Sequence, residues 1–370
     1  MTRLHELHTQ QDQSPWLDDL KRSYVQDGTL HRMVIDGIRG VTSNPTIFAK
    51  AIAGEATYDD EFAALAEQGS VLDAYWRLVS DDVSNACDIL RPTYDEAGGR
   101  DGFVSLEVAP DLAHDTEGTV TAAHWLSTTV GRPNLMVKIP ATREGLPAIR
   151  AMIGAGVSIN VTLIFSLDRY DDVIEAYLSG LEDLVAAGGD PRPVASVASF
   201  FVSRVDTETD RRLDAIGTDE ARGLRGKAAV ANARLAYQLF QERFSGERWG
   251  ELAARGANAQ RPLWASTSTK NEAYPDLLYV DSLIGPETVN TLPEATIEAF
   301  QDHGTVARTI HADYAGARRV LDGLARVGVD FADVGRVLED EGVASFSKSF
   351  DELIQALTDK ANKLSAEGRA

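Results

Sequence analysis

A single cysteine, Cys87, stands among the 370 residues. No intrachain disulfide is available, and the thiol reads as small core filler. Positive charge is also scarce. There are 36 Lys and Arg against 57 Asp and Glu, a net charge of −21, which argues against general binding to nucleic acid or to an anionic membrane. It leaves room for a small anionic substrate held by a local pair of cations. No run approaches the roughly eighteen apolar residues of a membrane helix. The opening Met1-Thr2-Arg3-Leu4-His5-Glu6-Leu7-His8 has no apolar signal core, so the cytoplasm is the expected location. Of seven histidines the only close pair is His5 and His8, expected in an exposed, unstructured tail rather than at a metal. No Gly-rich phosphate loop follows the first strand-like run, which weighs against a doubly wound open sheet.

What is present is an ordinary globular composition, 44% hydrophobic and 25% charged, long enough for two domains or one large α/β barrel. Strand-like runs recur at Pro15–Asp19, Gly37–Ser43, Gly102–Val108, Leu135–Ile139, Val157–Leu163, Val194–Ser199, Pro262–Ser266 and Leu277–Val280. Most are followed by helical stretches, which implies parallel pairing with right-handed crossovers. Eight such units predict one (β/α)8 TIM-barrel domain over 1–370. Helical excursions are expected at about 49–99 and 207–256, and a helical tail from about Glu294. Asn44-Pro45 reads as an N-cap with proline at the first helical position. Ser166 caps the amphipathic run that follows it.

Lysine is rare, with eight in the chain, and one of them, Lys138, lies inside the apolar run Leu135-Met136-Val137-Lys138-Ile139-Pro140. Alternation puts Met136, Lys138 and Pro140 on one face. A buried ammonium is costly, and a lysine so placed suits Schiff-base chemistry with a ketone. A lysine whose head snorkels to water from the strand end is the other reading.

The carboxyl ends of the strands, where TIM barrels do chemistry, carry a connected inventory. Asp18 and Asp19 end the first. Thr42-Ser43-Asn44 end the second. Ser105 and Glu107 lie on the third, Lys138 on the fourth, and Asn160 and Thr162 on the fifth. Ser199, then Arg204, follow on the sixth, and Ser266-Thr267-Ser268-Thr269-Lys270 follow the seventh. Each alone has a structural reading; Arg204, near Asp206 and Asp210, fits a surface ion pair. Together they supply an amine, carboxylates, neutral hydrogen-bonders and two cations, the parts needed for carbon–carbon chemistry on a phosphorylated polyol.

Val41-Thr42-Ser43-Asn44-Pro45, Leu135–Pro140, Ile159-Asn160-Val161-Thr162-Leu163-Ile164-Phe165-Ser166 and Ser199-Phe200-Phe201-Val202-Ser203-Arg204 resemble the signature segments of the transaldolase family. Their order and spacing match over nearly the whole chain, and the length is similar to the longer bacterial branch. The resemblance implies a class I, Schiff-base barrel of the non-oxidative pentose phosphate pathway. Such an enzyme moves a dihydroxyacetone unit from sedoheptulose 7-phosphate to glyceraldehyde 3-phosphate, giving erythrose 4-phosphate and fructose 6-phosphate. Neither metal nor organic cofactor is implied. The implied partners are small-molecule sugar phosphates, not nucleic acid or membrane, and a homodimer is the assembly to test.

By matching positions, Lys138 is the Schiff-base residue and Asp18 the acid/base for carbon–carbon cleavage. Glu107 works through a catalytic water that Thr162 helps hold. Asn44, Ser105, Asn160 and Ser199 bind the dihydroxyacetone portion, and Arg204, Ser268 and Lys270 bind the phosphate. Asp18 and Asp19 must face opposite ways, and the motif favours Asp18. Three positions depart from the family pattern: Phe200 replaces a common proline, Ser203 a common glycine, and Lys270 a common arginine. The alternatives are a fructose-6-phosphate aldolase that releases free dihydroxyacetone, or a phosphosugar-binding barrel without turnover.

Overall fold

Strands separated by helical crossovers pair in parallel, since antiparallel neighbours need only a tight turn. In the computed structural model of this protein every strand pairing is parallel, and the last strand returns to the first, closing a barrel in sequence order. The structure describes residues 1–367 and their side chains except those of 49, 50, 53 and 364–367. The strands are β1 (Gln13–Leu17), β2 (Gly40–Thr42), β3 (Phe103–Glu107), β4 (Leu135–Pro140), β5 (Ile159–Ile164), β6 (Ser196–Phe201), β7 (Arg261–Ala265) and β8 (Thr288–Leu292). The first seven overlap the runs expected from sequence.

The eighth does not. Leu277–Val280 lies at a short helix, Leu278–Ser282, and the strand comes later. A four-residue apolar run carries no period that separates strand from helix. β8 itself was masked by polar residues serving as barrel filling. Gln13 Nε2 donates to Thr288 Oγ1 at 2.9 Å, and Thr267 Oγ1 donates to Asn290 Oδ1 at 2.9 Å.

The excursion after β2 holds helices Pro45–Gly54, Asp59–Gln68 and Val71–Glu96; that after β6 holds Ser203–Ile216, Ala228–Arg243 and Gly246–Ala254. Both expected caps form: Asn44 Oδ1 accepts from Ile47 N at 3.0 Å and Ser166 Oγ from Arg169 N at 3.2 Å. The N-terminal stretch is not an unstructured tail. It is helix Arg3–Gln11, closed by a capping box between Thr2 and His5, with Leu4 and Leu7 buried. Trp16 and Trp264 are fully buried. Each withdraws on the order of 150–250 Å² from water, about 4–6 kcal/mol of transfer free energy before entropy is counted.

At the amino-terminal end of the barrel Asp101 is buried beneath four donors. Ser14 Oγ lies at 2.6 Å, Arg39 Nε at 2.7 Å, Trp16 Nε1 at 2.9 Å and Arg261 at 3.5 Å. Burial alone raises a carboxyl pKa, but Arg261, Arg39 and the Ser14 hydroxyl outweigh it, so that of Asp101 is lowered.

The last helix, Phe331–Glu367, is 37 residues long, about 55 Å of rod. It packs on helices Pro45–Gly54 and Ser203–Ile216 and touches β5, so it runs across the carboxyl end of the barrel. Glu339 with Arg169, Asp333 with Arg212, and Lys360 with Asp59 pin it there. Gly342 faces Leu163 so closely that a Cβ would come within 3.0 Å of its side chain. Among the described residues no helix is long and apolar enough to cross a membrane.

Candidate active site

The carboxyl ends of the strands surround a cavity of about 130 Å³. Of the residues singled out from sequence, Asp18, Asn44, Lys138, Thr162, Ser199, Arg204, Ser268 and Lys270 line it. A larger cavity of about 470 Å³ opens at the opposite end, walled by Phe240, Phe244 and Trp249. It contains none of these groups, and the chemical groups of this fold class gather at the carboxyl end.

Register explains the centre. Glu107 of β3 sits opposite Lys138 of β4, and Lys138 sits opposite Asn160 of β5, so three polar side chains occupy one row. The Lys138 side chain is 7% exposed and that of Glu107 4%, with Nζ 3.1 Å from Oε2. Lysine does not snorkel here. Its ammonium donates instead to the Ser43 carbonyl at 3.3 Å. Glu107 Oε2 is off the line of a good hydrogen bond, and Thr162 Oγ1, also buried, has no partner among the described residues. Burial raises the pKa of Glu107 although Lys138 opposes it.

Asp18 extends β1 by one ladder bond, its N–H donating to the Leu292 carbonyl at 2.9 Å. Its Oδ1 accepts from Thr42 Oγ1 at 2.9 Å. Burial raises its pKa too, against the pull of Lys138. Asp19 points away and pairs with Lys21 at 3.0 Å, as alternation requires. The centre therefore holds one amine between two carboxyls, each shifted toward keeping a proton longer than usual.

Glu107, beside Lys138, does not line the cavity; neither do Ser105 and Asn160, which are fully buried. They form a belt with Ser199, whose Oγ donates to Asn160 Oδ1 at 2.7 Å, while Asn160 Nδ2 donates to Ser105 Oγ at 3.0 Å. Asn160 has a second amide proton left for other work.

The Arg204 guanidinium makes no ion pair or hydrogen bond among the described residues. It lies over the rings of Phe201 at 5.1 Å and Phe346 at 6.0 Å. The surface ion pair with Asp206 or Asp210 is thus ruled out, because both carboxylates are engaged by other donors. Lys270, exposed at the rim, also lacks a partner among the described residues. Ser268 Oγ sits 3.0 Å from Thr296 Oγ1. Arg204 and Lys270 thus place two cations without ion-pair partners among the described residues at one mouth, in a chain of net charge −21, an arrangement whose local field attracts anions.

A family model described as Transaldolase/Fructose-6-phosphate aldolase matches residues 15–357. The transaldolase of Parafrankia sp. is 55% identical over 348 residues, 93% of this chain and 94% of that protein. Transaldolase 1 of Streptomyces avermitilis is 51% identical over 358 residues, covering 96% and 95%. The transaldolase of Mycolicibacterium smegmatis is 53% identical over 346 residues, 93% of each chain. The chain belongs to the transaldolase/fructose-6-phosphate aldolase family.

Two of the three departures from the transaldolase pattern have physical accounts. Phe200 turns outward, 5.8 Å from the Tyr170 ring and 6.3 Å from that of Trp264, and leaves the mouth untouched. Ser203 Oγ meets Ser266 Oγ at 2.9 Å. That contact holds a residue with φ of 57°, uncommon for a non-glycine. A second such residue, Leu163 at φ 61°, lies in a register shift of β5 just after Thr162. Bulges of this kind re-aim side chains beside active sites. Sequence reasoning missed Phe201 and Phe346 as cavity walls. Phe201 lay inside a quoted motif, but Phe346 carried no signal, since an apolar helix position looks the same whether it faces core or cavity. Among the described residues no group of three or more His, Cys, Asp or Glu is arranged to hold a metal ion.

Proposed function

We propose that the protein is a Schiff-base transaldolase of the non-oxidative pentose phosphate pathway, acting in the cytoplasm on sugar phosphates. Its dihydroxyacetone donor is sedoheptulose 7-phosphate or fructose 6-phosphate. The observation that carries the reading is the buried Lys138 amine 3.1 Å from Glu107, at the centre of the barrel mouth. In this reading Lys138 attacks the donor's C2 ketone. Glu107, with a water held by Thr162, moves the protons that expel the C2 oxygen as water. The Glu107 carboxylate beside the Lys138 amine and the buried Thr162 hydroxyl, which has no hydrogen-bond partner among the described residues, support this role. The resulting iminium is an electron sink. Asp18 takes the C4 hydroxyl proton, the C3–C4 bond breaks, and the aldose leaves while a three-carbon enamine stays on Lys138.

Burial has raised the Asp18 pKa, which makes its carboxyl a better proton acceptor near neutral pH. Asn44 and Ser199, which line the cavity, hold the dihydroxyacetone hydroxyls, and Asn160, fixed by Ser105, orients the Ser199 hydroxyl from beneath. Arg204, Lys270 and Ser268 hold the phosphate. An acceptor aldose then captures the enamine and the steps reverse.

The test is borohydride reduction in the presence of fructose 6-phosphate, followed by peptide mapping. A three-carbon adduct on Lys138 is expected. With fructose 6-phosphate alone, free dihydroxyacetone should not accumulate over many turnovers. Erythrose 4-phosphate should start steady production of sedoheptulose 7-phosphate. Rapid acceptor-independent release of dihydroxyacetone would identify an aldolase instead, and absence of any adduct would identify a sugar-phosphate binder.

A further inference from the structure

Two carboxylates that the proposed chemistry does not use lie one turn apart on helix Ser203–Ile216, the helix whose first turn bears Arg204. Asp206 is 1% exposed and Asp210 7%. Both oxygens of each are occupied by donors from outside the helix. Asp206 accepts from Ala229 N at 2.8 Å and from the Tyr279 hydroxyl at 2.9 Å. Asp210 accepts from Gly226 N at 3.0 Å and from the Tyr274 hydroxyl at 2.6 Å. Both tyrosines belong to the segment that follows β7, which also carries Lys270.

That segment is a closed loop. Thr269 Oγ1 donates to the carbonyls of Pro275 and Asp276, each at 2.9 Å, so Lys270 sits on one shoulder and Tyr274 on the other. The Tyr274 ring lies against Gly226, whose φ is +67° and where a Cβ would come within 2.8 Å of the ring. Tyr274 is therefore fixed by ring packing and by its hydroxyl together. Arg204 and Lys270 repel each other, and among the described residues neither is ion-paired to a carboxylate that would hold it at a set distance. The bond from Tyr274 to Asp210 ties the loop that carries one cation to the helix that carries the other.

We infer that Asp210 and Tyr274 are positioning residues that set the spacing of Arg204 and Lys270 for a sugar phosphate, with Asp206 and Tyr279 anchoring the base of the same loop. The inference rests on the phosphate assignment of Arg204 and Lys270 proposed above. It does not make either aspartate a catalytic residue, since neither lines the cavity.

The test measures half-saturation of borohydride-trapped adduct with fructose 6-phosphate and, separately, with fructose, in six full-length proteins: the parent, Tyr274→Phe, Lys270→Ala, the double variant of these two, Asp210→Asn and Arg204→Gln. Tyr274→Phe keeps the ring on Gly226 and removes only the hydroxyl. It should raise half-saturation for fructose 6-phosphate about five- to tenfold, the scale of part of one charge-assisted hydrogen bond, and leave fructose within about twofold. Added to Lys270→Ala, it should change little more, because its effect runs through Lys270. Asp210→Asn keeps one carbonyl oxygen for Gly226 N and its Nδ2 can donate to the Tyr274 hydroxyl oxygen, so its shift with fructose 6-phosphate should fall between those of the parent and Tyr274→Phe. Equal shifts on both sugars, no shift with fructose 6-phosphate, or fully multiplying effects in the double variant would overturn the inference alone. If Lys270→Ala and Arg204→Gln both leave fructose 6-phosphate unchanged, the phosphate assignment itself fails and this inference goes with it.

Discussion

Replacing Lys138 by methionine keeps the length and most of the volume of the side chain while deleting its charge, which isolates the electrostatics of the centre. At 3.1 Å from Glu107 Oε2, and with an effective dielectric constant of about 20, the lost attraction is about 5 kcal/mol before desolvation is subtracted. Breaking a buried pair by removing one partner typically costs 3–5 kcal/mol, because a charge is left uncompensated. Glu107 has a way out. Its pKa is already raised by burial and is held down by Lys138, so in the variant it rises further. A carboxyl whose folded pKa exceeds its unfolded value contributes stability at low pH that is lost as pH rises through the folded pKa. Asp18, also held down by Lys138, acts in the same direction.

The deficit of Lys138→Met should therefore be small at pH 5, about 1 kcal/mol, and about 3 kcal/mol at pH 8. For a chain of this length 1 kcal/mol corresponds to roughly 1.3 °C in Tm. Thermal melts followed by near-UV circular dichroism should thus separate variant from parent by about 1 °C at pH 5 and about 4 °C at pH 8. Turnover and borohydride trapping should vanish at both. A deficit independent of pH, or larger at pH 5, would refute the pairing; retained turnover would refute the role of Lys138.

Asp18→Asn should lose about 10² to 10⁴ in kcat while still forming some trapped imine, and Asp19→Asn should stay near parental activity. The reverse ranking, read by steady-state kinetics, would move the role by one residue. Arg204→Lys keeps the charge but loses the planar fork and its ring contacts with Phe201 and Phe346. KM for fructose 6-phosphate should rise about tenfold or more, and an unchanged KM would remove Arg204 from the phosphate site. Asp101→Asn should cost about 3–5 kcal/mol in urea unfolding at pH 7. Because the pKa of Asp101 is lowered in the fold, its contribution is present above the usual carboxylate range and lost as pH falls through the folded pKa. The gap between parent and variant should accordingly close below about pH 4, and a gap that persists there would count against the ion cluster.

The barrel was legible because its signals are local and repeated. Asn44 before Pro45 and Ser166 before an amphipathic run mark helix starts by backbone chemistry that holds in any context. Lys138 stood out because an ammonium inside an apolar strand needs a reason. β8 was illegible for the opposite cause. Thr288 and Asn290 are polar yet fully buried, and their side-chain oxygens accept from Gln13 of β1 and from Thr267 after β7, partners that no single-strand pattern reveals. The rim was readable as a list of residues but not as an arrangement. Nothing in the sequence tells that Asn160 is held beneath the cavity by Ser105 and Ser199, or that Arg204 is braced by rings instead of carboxylates. Those facts depend on register, and Phe346 comes from a helix that begins long after the strands end.

Closure of the barrel by β8 against β1 has a consequence for how the molecule is made. Translation runs at about 5–20 residues per second, so β1 waits roughly 14 to 54 s for the strand that completes its second edge. The helix that crosses the mouth is made last, and its Lys360 donates to the Ile52 carbonyl across 308 positions at 2.9 Å. Throughout that interval the nascent sheet has open edges, the condition under which chains pair with one another. Release of the chain between residues 292 and 346 would leave a barrel whose strands are all present but whose mouth lacks a wall.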